Sequence, residues 1–240
     1  MRAGIHIGTS GWNYKHWLGR FYPEKIRAAD MLEFYARHFE TVELNNSFYH
    51  LPSIKSFRTW RDTVSKDFRF AVKGSRFITH MKKLKAPKTS TRKFFTRVEK
   101  LDEKLGPLLF QLPPHWRVNI KRLATFLERL PAGYRYAFEF REPSWYADEV
   151  YDLLKEHNVA LCVFHMSGYE TPMVITANFV YVRFHGAQST YGGSYSDSQL
   201  KMWAQRIASW RGDEKEIFIY FNNDPEAHAI YDAKRLREML

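Results

Sequence analysis

Residues 134–145 read Tyr-Arg-Tyr-Ala-Phe-Glu-Phe-Arg-Glu-Pro-Ser-Trp, and this stretch decides the fold. Aromatic residues alternate with other types over residues 134–141, which predicts a β-strand. One face of that strand would carry the aromatic rings, and the other would carry Glu139 and Arg141. A helical pattern follows Pro143, so the unit is typical of a β/α protein. Charged groups that face inward need partners, or they lie where the interior opens to a ligand.

The composition predicts one domain spanning residues 1–240. The chain has 240 residues, 45% of them hydrophobic and 17% aromatic, which allows a substantial core without division. Its net charge of +11 and pI of about 9.6 favour anionic partners such as phosphates or nucleic acid. The one cysteine, Cys162, excludes an internal disulfide and is interpreted as a small buried hydrophobe.

The hydropathy pattern predicts a cytoplasmic protein without a membrane partner. No apolar run is long enough to span a bilayer, and no signal peptide pattern precedes the first predicted strand at Ile5. The oligomeric state does not follow from the sequence.

Eight segments have the pattern of strands, and helical patterns separate most of them. The predicted strands are residues 5–10, 41–48, 69–75, 108–112, 134–141, 160–165, 179–185 and 216–223. A closed (β/α)8 barrel of the TIM type, an α/β fold, fits this alternation and length. Gly168 and Pro172 predict that the sixth helix is short or missing. An open doubly wound sheet is the alternative, but residues 8–11 lack the spacing of a dinucleotide-binding loop.

Polar residues recur on the predicted inward faces near the carboxyl ends of the strands, where TIM barrels carry their chemistry. The set is Ser10, Glu43, Asn45, Lys73, Gln111, Glu139, Arg141, His165, Arg183, His185 and Asn222. A barrel interior built for packing alone would show Val, Ile and Leu instead. The structural alternative is an ion-pair lattice that closes the barrel, for instance through Glu139 and Arg183.

Glu43, Glu139 and His185 are the candidate catalytic residues, because carboxylates and imidazole can exchange protons with a substrate. The two glutamates lie on strands two and five, far apart around a barrel, which argues against a direct two-carboxylate mechanism. Together with His165 and His185 they could instead hold a divalent metal ion. No His-Glu-x-x-His spacing supports such a site, so the cofactor remains unknown.

Lys73, Arg141 and Arg183 are interpreted as anion-binding residues, because fixed cationic groups suit phosphate or carboxylate oxygens. The other candidate ligand-binding residues, which would orient hydroxyl groups or stack on rings, are Ser10, Trp12, Asn45, Gln111, Trp145 and Asn222. Singly, the loop aromatics are typical of structural anchors, but together at one rim they could stack on sugars or bases. These rim aromatics are Trp12, Trp17, Tyr49, Trp145, Tyr191 and Tyr195.

The loop after the third strand is the clearest anomaly of charge. Residues 68–98 contain no acidic residue. The basic residues of this basic loop, residues 73–97, are Lys73, Arg76, Lys82, Lys83, Lys85, Lys88, Arg92, Lys93 and Arg97. Such a run is often only a solvated face. At the rim of a barrel it could also steer anionic ligands or bind nucleic acid.

Several motifs, in this order, resemble the DUF72 (YecE-like) family. They are Gly8-Thr9-Ser10-Gly11-Trp12, Thr41-Val42-Glu43-Leu44-Asn45, Phe70-Ala71-Val72-Lys73, Phe110-Gln111-Leu112-Pro113-Pro114, Glu139-Phe140-Arg141, Tyr181-Val182-Arg183-Phe184-His185-Gly186 and Phe221-Asn222-Asn223. The resemblance spans essentially the whole chain. It implies a TIM-barrel-like fold of unestablished activity, sometimes described as related to sugar isomerases. His165 is a departure, because an acidic residue is expected there, and it argues against a mechanism that needs that carboxylate.

Two functions follow as hypotheses. The first is an enzyme, isomerase- or hydrolase-like, that acts on a small phosphorylated or sugar-like ligand at the carboxyl end of the barrel. The second is a nucleic-acid-binding or nucleic-acid-processing protein that uses the basic loop 73–97 and the rim aromatics. A small enclosed pocket would favour the first hypothesis, and an open basic groove leaving the mouth would favour the second.

Overall fold

A ring of parallel strands forms the centre of the molecule in a computed structural model that describes residues 4–86, 88–212 and 215–240. The strands are β1 (Ile5–Thr9), β2 (Thr41–Leu44), β3 (Arg69–Lys73), β4 (Leu105–Gln111), β5 (Tyr136–Glu139), β6 (Ala160–Met166), β7 (Tyr169–Glu170), β8 (Phe179–Phe184) and β9 (Glu216–Phe221). All except β7 pair in parallel, in the order β1-β9-β8-β6-β5-β4-β3-β2. The predicted TIM-type barrel is confirmed.

Helices cover the outside of the ring. They are α1 (Met31–Ala36), α2 (Asn46–Tyr49), α3 (Ile54–Thr63), α4 (Lys88–Val98), α5 (Ile120–Leu127), α6 (Asp148–Glu156), α7 (Asp197–Gly212) and α8 (His228–Glu238). Short 3₁₀ segments occur at Lys15–Trp17, Glu99–Lys104, Pro143–Trp145 and Pro225–Ala227, and a π-helical turn at Phe77–Met81. Within the described part of the chain, no helix has the length and apolar character needed to cross a membrane.

Side-chain caps begin several of these helices, because the first amide groups of a helix lack partners within it. Ser53 Oγ accepts the N–H three residues on at 3.0 Å, Asn119 Oδ1 does so at 3.0 Å, and Ser196 Oγ does so at 3.3 Å. Asp30 precedes α1 but does not cap it, since its carboxylate pairs with Arg27 at 2.6 Å. Local sequence signals therefore locate the starts of α3, α5 and α7.

A hairpin takes the place of the sixth barrel helix. After β6 the chain turns at Ser167 and Gly168, both with positive φ, and β7 pairs antiparallel with the end of β6. Residues 171–178 contain no helical turn. The prediction of a short or missing sixth helix is confirmed. The sequence pattern does not predict this hairpin, because β7 is only two residues long and is too short to show alternation.

Alternation along the strands produces two apolar layers. Outward side chains such as Phe110, Phe138 and Phe184 pack against the helices. An inner cluster fills the barrel below the polar lining, and its buried members are Ala71, Leu109, Ala137, Ala160, Cys162, Phe179, Tyr181, Phe218 and Tyr220. Cys162 is buried, as predicted. Because this plug is apolar, the polar side chains are concentrated toward the carboxyl end of the ring.

The ring closes between β1 and β2 through a side chain instead of a full strand ladder. The Tyr35 hydroxyl accepts the N–H of Thr9 at 3.0 Å and donates to the carbonyl of Thr41 at 3.1 Å. Further up, the N–H of Gly11 donates to the Glu43 carbonyl at 2.8 Å. One phenol therefore satisfies a buried donor and a buried acceptor that would otherwise have no partner.

We expect Tyr35→Phe to lower the free energy of unfolding by about 2–3 kcal/mol, because it leaves those two backbone groups buried and unpaired. Urea denaturation at neutral pH measures the change. Tyr231→Phe is the matched control, since the exposed Tyr231 hydroxyl also contacts a carbonyl, that of Arg20. Equal stability of the two variants would show that the seam does not depend on Tyr35.

Candidate functional site

Strands from around the whole ring bring polar side chains to its carboxyl end. The members of this mouth cluster are Ser10, Glu43, Asn45, Lys73, Gln111, Glu139, Arg141, Arg183, His185 and Asn222, each within a strand or at most two residues after one. Parallel strands present alternate side chains to the interior, so their last inward residues meet at one level. The cluster joins residues that lie more than 200 positions apart in the chain.

Arg183 lies at the centre of the mouth cluster and is fully buried. Its Nη1 donates to Glu139 Oε2 and its Nη2 donates to Glu43 Oε1, both at 2.7 Å. Ser10 Oγ donates to Glu43 Oε1 and the Tyr181 hydroxyl donates to Glu43 Oε2, each at 2.6 Å. One arginine therefore bridges carboxylates from β2 and β5, and both oxygens of Glu43 are occupied.

Glu139 continues this lattice toward the solvent. Its other oxygen, Oε1, accepts a hydrogen bond from Arg141 Nε. Burial by itself raises the pKa of Glu139, but Arg141 and Arg183 outweigh burial and hold the pKa well below its usual range. Glu139 is therefore a carboxylate at neutral pH, and Arg141, whose side chain is 10% exposed, links it to the mouth.

His185 is a neutral imidazole at the inner edge of the mouth. Burial lowers its pKa to about 3, and the nearby Glu139 does not compensate. Arg141 Nη2 lies 2.8 Å from His185 Nε2. Because an arginine can only donate, Nε2 must accept, which leaves the ring proton on Nδ1. The side-chain amide of Asn222 lies 3.1 Å from Nδ1 and would then present its oxygen to it.

Lys73 differs from the two arginines of the mouth cluster. Its Nζ lies 4.3 Å from the centre of the Phe48 ring, and it forms no hydrogen bond or ion pair with any residue in the described ranges. Burial, assisted by Arg183, lowers the pKa of Lys73 to about 8. Since two arginines already balance two carboxylates, protonated Lys73 leaves one net positive charge on the cluster.

Three members of the cluster have buried polar atoms without partners. Among the residues that the structure describes, Gln111 Oε1 and Asn45 Oδ1 receive no hydrogen bond, and Arg183 Nε donates none. An unpaired buried polar atom costs about 1–3 kcal/mol. At the open end of a barrel, such atoms are typical of groups that bind a ligand.

A cavity of about 430 Å³ adjoins the mouth cluster beside β1 and β2. Trp12 forms part of its wall and packs edge-on against Trp60, with ring centres 5.2 Å apart. Asn45 lines this cavity and belongs to the mouth cluster. The exposed Tyr49 lies at its rim, so the cavity offers aromatic surface next to polar groups.

Trp145 occupies a different place from the predicted one. It is fully buried, stacks on Phe140 at 4.9 Å, and donates from Nε1 to the Trp116 carbonyl at 2.6 Å. This position corrects its interpretation as a ligand-binding residue, because the ring anchors the loop after β5. Among the other predicted rim aromatics, Trp17 and Tyr195 are also buried anchors.

His165 faces away from the barrel interior. Its Nδ1 lies 2.9 Å from the Tyr195 hydroxyl, and Phe164 occupies the inward position, with the Arg141 guanidinium 4.5 Å from its ring centre. The faces of β6 could not be read from the sequence, because both are buried and apolar. The metal-ligand set proposed with His165 is therefore not assembled. Within residues 4–86, 88–212 and 215–240, no three His, Cys, Asp or Glu side chains are grouped to share a metal ion.

The basic loop 73–97 is mainly surface. Its exposed basic residues include Arg76, Lys82 and Lys83. Arg97 is an exception, because it donates to two backbone carbonyls of residues 51 and 52 at 2.6 and 2.9 Å. Burial, followed by the neighbouring Lys73 and Arg76, lowers the pKa of His80 to about 4. The local potential beside the mouth is therefore positive.

Two contacts of the mouth cluster had no specific signal in the sequence. Tyr181 stands two residues before Arg183 on β8, so strand alternation does place it on the inward face. Phe48 belongs to the short helix α2, and its contact with Lys73 depends on how α2 packs on β3. Only the inward position of Tyr181 could be found from the two-residue alternation of a strand.

We expect Arg183→Met to lower the free energy of unfolding by about 3–5 kcal/mol, because it leaves two buried carboxylates without their shared partner. Chemical denaturation at pH 7 measures the loss. Arg135→Met removes an exposed ion pair with Glu216 and should change stability by less than about 1 kcal/mol. Adding Glu43→Gln and Glu139→Gln to Arg183→Met should recover part of the loss. Similar effects of Arg183→Met and Arg135→Met would contradict the lattice.

A family model described as "Protein of unknown function DUF72" matches residues 6–240. The UPF0759 protein YunF of Bacillus subtilis (strain 168) is 25% identical, over 98% of this chain and 94% of its own length. The UPF0759 protein YecE of Escherichia coli (strain K12) is 32% identical over 60% of this chain, and the match covers 50% of YecE. These names state no substrate or reaction.

Solved structures agree with the barrel. The DUF72 family protein TM1631 of Thermotoga maritima MSB8 has a TM-score of 0.89 and 29% identity, over 98% of both chains. The DUF72 family protein EF0366 of Enterococcus faecalis V583 has a TM-score of 0.82 and 20% identity, over 99% of this chain and 95% of its own. At that identity, the second likeness supports the fold alone.

Proposed function

Because the chain belongs to the DUF72 family of proteins of unknown function, we propose an activity from its own site. The protein is an enzyme, isomerase- or hydrolase-like, that acts on a small anionic ligand bearing hydroxyl groups at the carboxyl end of the barrel. The observation that carries this proposal is Lys73, a half-buried amine that has no counterion among the described residues, in a lattice whose other charges cancel. A phosphate or carboxylate would supply the missing charge.

Neutral acceptors complete the ligand site. Gln111 Oε1 and Asn45 Oδ1 are buried and have no donor in the described part of the chain, and hydroxyl groups of a sugar-like ligand would satisfy both. Trp12 and the adjoining cavity of about 430 Å³ offer a surface for the apolar face of such a ligand. The site would therefore recognise a polyol or sugar that carries an anionic group.

Proton transfer is assigned to the Arg141–His185 side of the mouth cluster, because Glu139, like Glu43, has both oxygens occupied by donors. Both oxygens of Glu43 are occupied by donors within the lattice, so Glu43 is better suited to hold Arg183 in place. Arg183 in turn donates from both terminal nitrogens to carboxylates, so it would position these two carboxylates without contacting the ligand through those nitrogens. Arg141 is the partly exposed member through which a ligand would reach His185.

We expect Lys73→Met to weaken the binding of glycerol 3-phosphate and ribose 5-phosphate at least tenfold at pH 7, because the unbalanced charge is lost. Isothermal titration calorimetry measures the affinity. Lys83→Met is the matched control in the same loop, and its exposed amine should matter less than threefold. Equal affinities in folded Lys73→Met and wild-type protein would overturn the proposal.

The same titration has a defined pH dependence. Lys73 carries its charge below its pKa of about 8, so affinity should be fully present at pH 7 and fall as the pH rises through 8. Phosphate monoesters are already dianions there, so the ligand does not change. An ordinary exposed lysine would keep its charge to about pH 10. Constant affinity between pH 7 and 9.5 would exclude Lys73 as the cation.

Nucleic acid binding is the second candidate, and one surface favours it. Basic side chains of the loop and of the region around α5 line one open groove. They are Lys85, Lys121, Arg122 and Arg129. None of the described residues that line that groove is acidic. A continuous positive groove suits the phosphate backbone of a nucleic acid.

If this groove binds duplex DNA, log affinity should fall linearly with log salt, with a slope of about −0.9 per phosphate contact. Replacing Lys82, Lys83 and Lys85 by Ala should flatten that slope, as measured by fluorescence anisotropy. The same change at three exposed lysines outside the loop, Lys25, Lys55 and Lys66, controls for net charge. Equal slopes for the two triple variants would leave the loop with a steering role for small anions only.

A further inference from the structure

We propose that Lys73 is a nucleophile that forms an imine with a small anionic aldehyde or ketone bound at the mouth. This inference rests on the proposed function, because it names the chemical class of the ligand that occupies the same site. It begins from the environment of the Lys73 amine, which differs from that of the exposed lysines in the same loop.

Every charged neighbour of the Lys73 amine is already engaged. Glu43, from β2, accepts from Arg183, and Glu139, from β5, accepts from Arg183 and Arg141. His80, on the turn after β3, is held near Lys73 with its Nδ1 2.9 Å from the Thr79 hydroxyl. No carboxylate within the described residues therefore fixes Nζ as an ammonium ion.

The surroundings also favour the neutral amine. The face of the Phe48 ring, Glu139 and Glu43 all favour the ammonium form, but burial together with Arg183 outweighs them and lowers the pKa of Lys73. With a pKa of about 8, roughly one tenth of Lys73 is neutral at pH 7, against less than about one thousandth of an ordinary lysine. Desolvation beside another cation is an established way of activating a lysine amine for carbonyl chemistry.

The backbone of Lys73 is fixed at the end of its strand. Ser47 Oγ, from α2, donates to the Lys73 carbonyl at 2.6 Å, and the next N–H, of Gly74, donates to the Leu109 carbonyl at 2.7 Å. A Cβ on Gly74 would lie 2.6 Å from the Phe110 ring, so the strand packs closely here. The amine therefore extends from a rigid point toward the mouth.

The reaction balances without any further reactant. The Nζ lone pair attacks the carbonyl carbon, and the carbonyl π electrons move to oxygen, which takes a proton lost by the amine. The proton that the ammonium ion released before the attack then returns to the carbinolamine hydroxyl, which leaves as water while the nitrogen lone pair forms the C=N bond of the iminium. Overall, one ammonium and one carbonyl give one iminium and one water. The iminium keeps the positive charge, so the balance with Glu43 and Glu139 is unchanged.

The experiment uses the whole protein and dihydroxyacetone phosphate as the probe, with sodium cyanoborohydride to reduce any imine. Intact mass and peptide mapping should find one adduct, at Lys73. The adduct should be absent in Lys73→Arg and present in Lys83→Arg, which carries the same change at an exposed lysine of the same loop. Glycerol 3-phosphate, which has no carbonyl, should slow labelling of the wild-type protein by at least tenfold at saturation.

The outcomes separate this inference from the proposed function. If glycerol 3-phosphate binds to wild type by calorimetry but no Lys73 adduct forms, the imine is overturned and the anionic ligand site survives. If Lys73 is labelled equally by neutral dihydroxyacetone, and glycerol 3-phosphate neither binds nor protects, the amine is nucleophilic but the anionic ligand is wrong. Adducts spread evenly over exposed lysines would also overturn the imine. None of these readouts depends on the folding of a variant.

Discussion

The buried bridge from Arg183 to Glu43 and Glu139 is the interaction on which the rest of the site depends. It joins β2, β5 and β8 across the barrel, at the level where the apolar plug ends. A buried arginine of this kind is stable only when its donors are matched by carboxylates, and the carboxylates need it equally. The bridge therefore fixes the relative positions of three of the strand ends that carry the mouth cluster.

The hydrogen-bond partners of the residues nearer the mouth follow from which oxygens of the two carboxylates the bridge already uses. Both oxygens of Glu43 are occupied, Glu139 reaches outward to Arg141, and Arg141 contacts His185. Lys73 is left over from this pairing. Its charge is the property that an anionic ligand would use, and its weakened basicity is the property that carbonyl chemistry would use. The protonated Lys73 amine would bind the anion, and the neutral Lys73 amine would attack the carbonyl.

Two of the positions that differ from expectation have a common cause. His165 is predicted to face inward and Trp145 to lie at the rim, yet both lie in the layer between strands and helices. In a barrel that layer is as rich in aromatic residues as the rim, so residue type does not distinguish them. The contacts that place them, with Trp116 and Tyr195, come from loops far along the chain.

The sequence by itself determined the barrel, since eight alternating strand and helix patterns admit few other topologies. It also determined most of the mouth cluster, because the two-residue period on β2, β3, β4, β5 and β8 names their inward residues. Only the tertiary structure decided which carboxylate meets which cation, which face of β6 points inward, and that Lys73 has no hydrogen-bond or ion-pair partner among the described residues. Those outcomes depend on strand register and on distances across the ring, which a local period cannot encode.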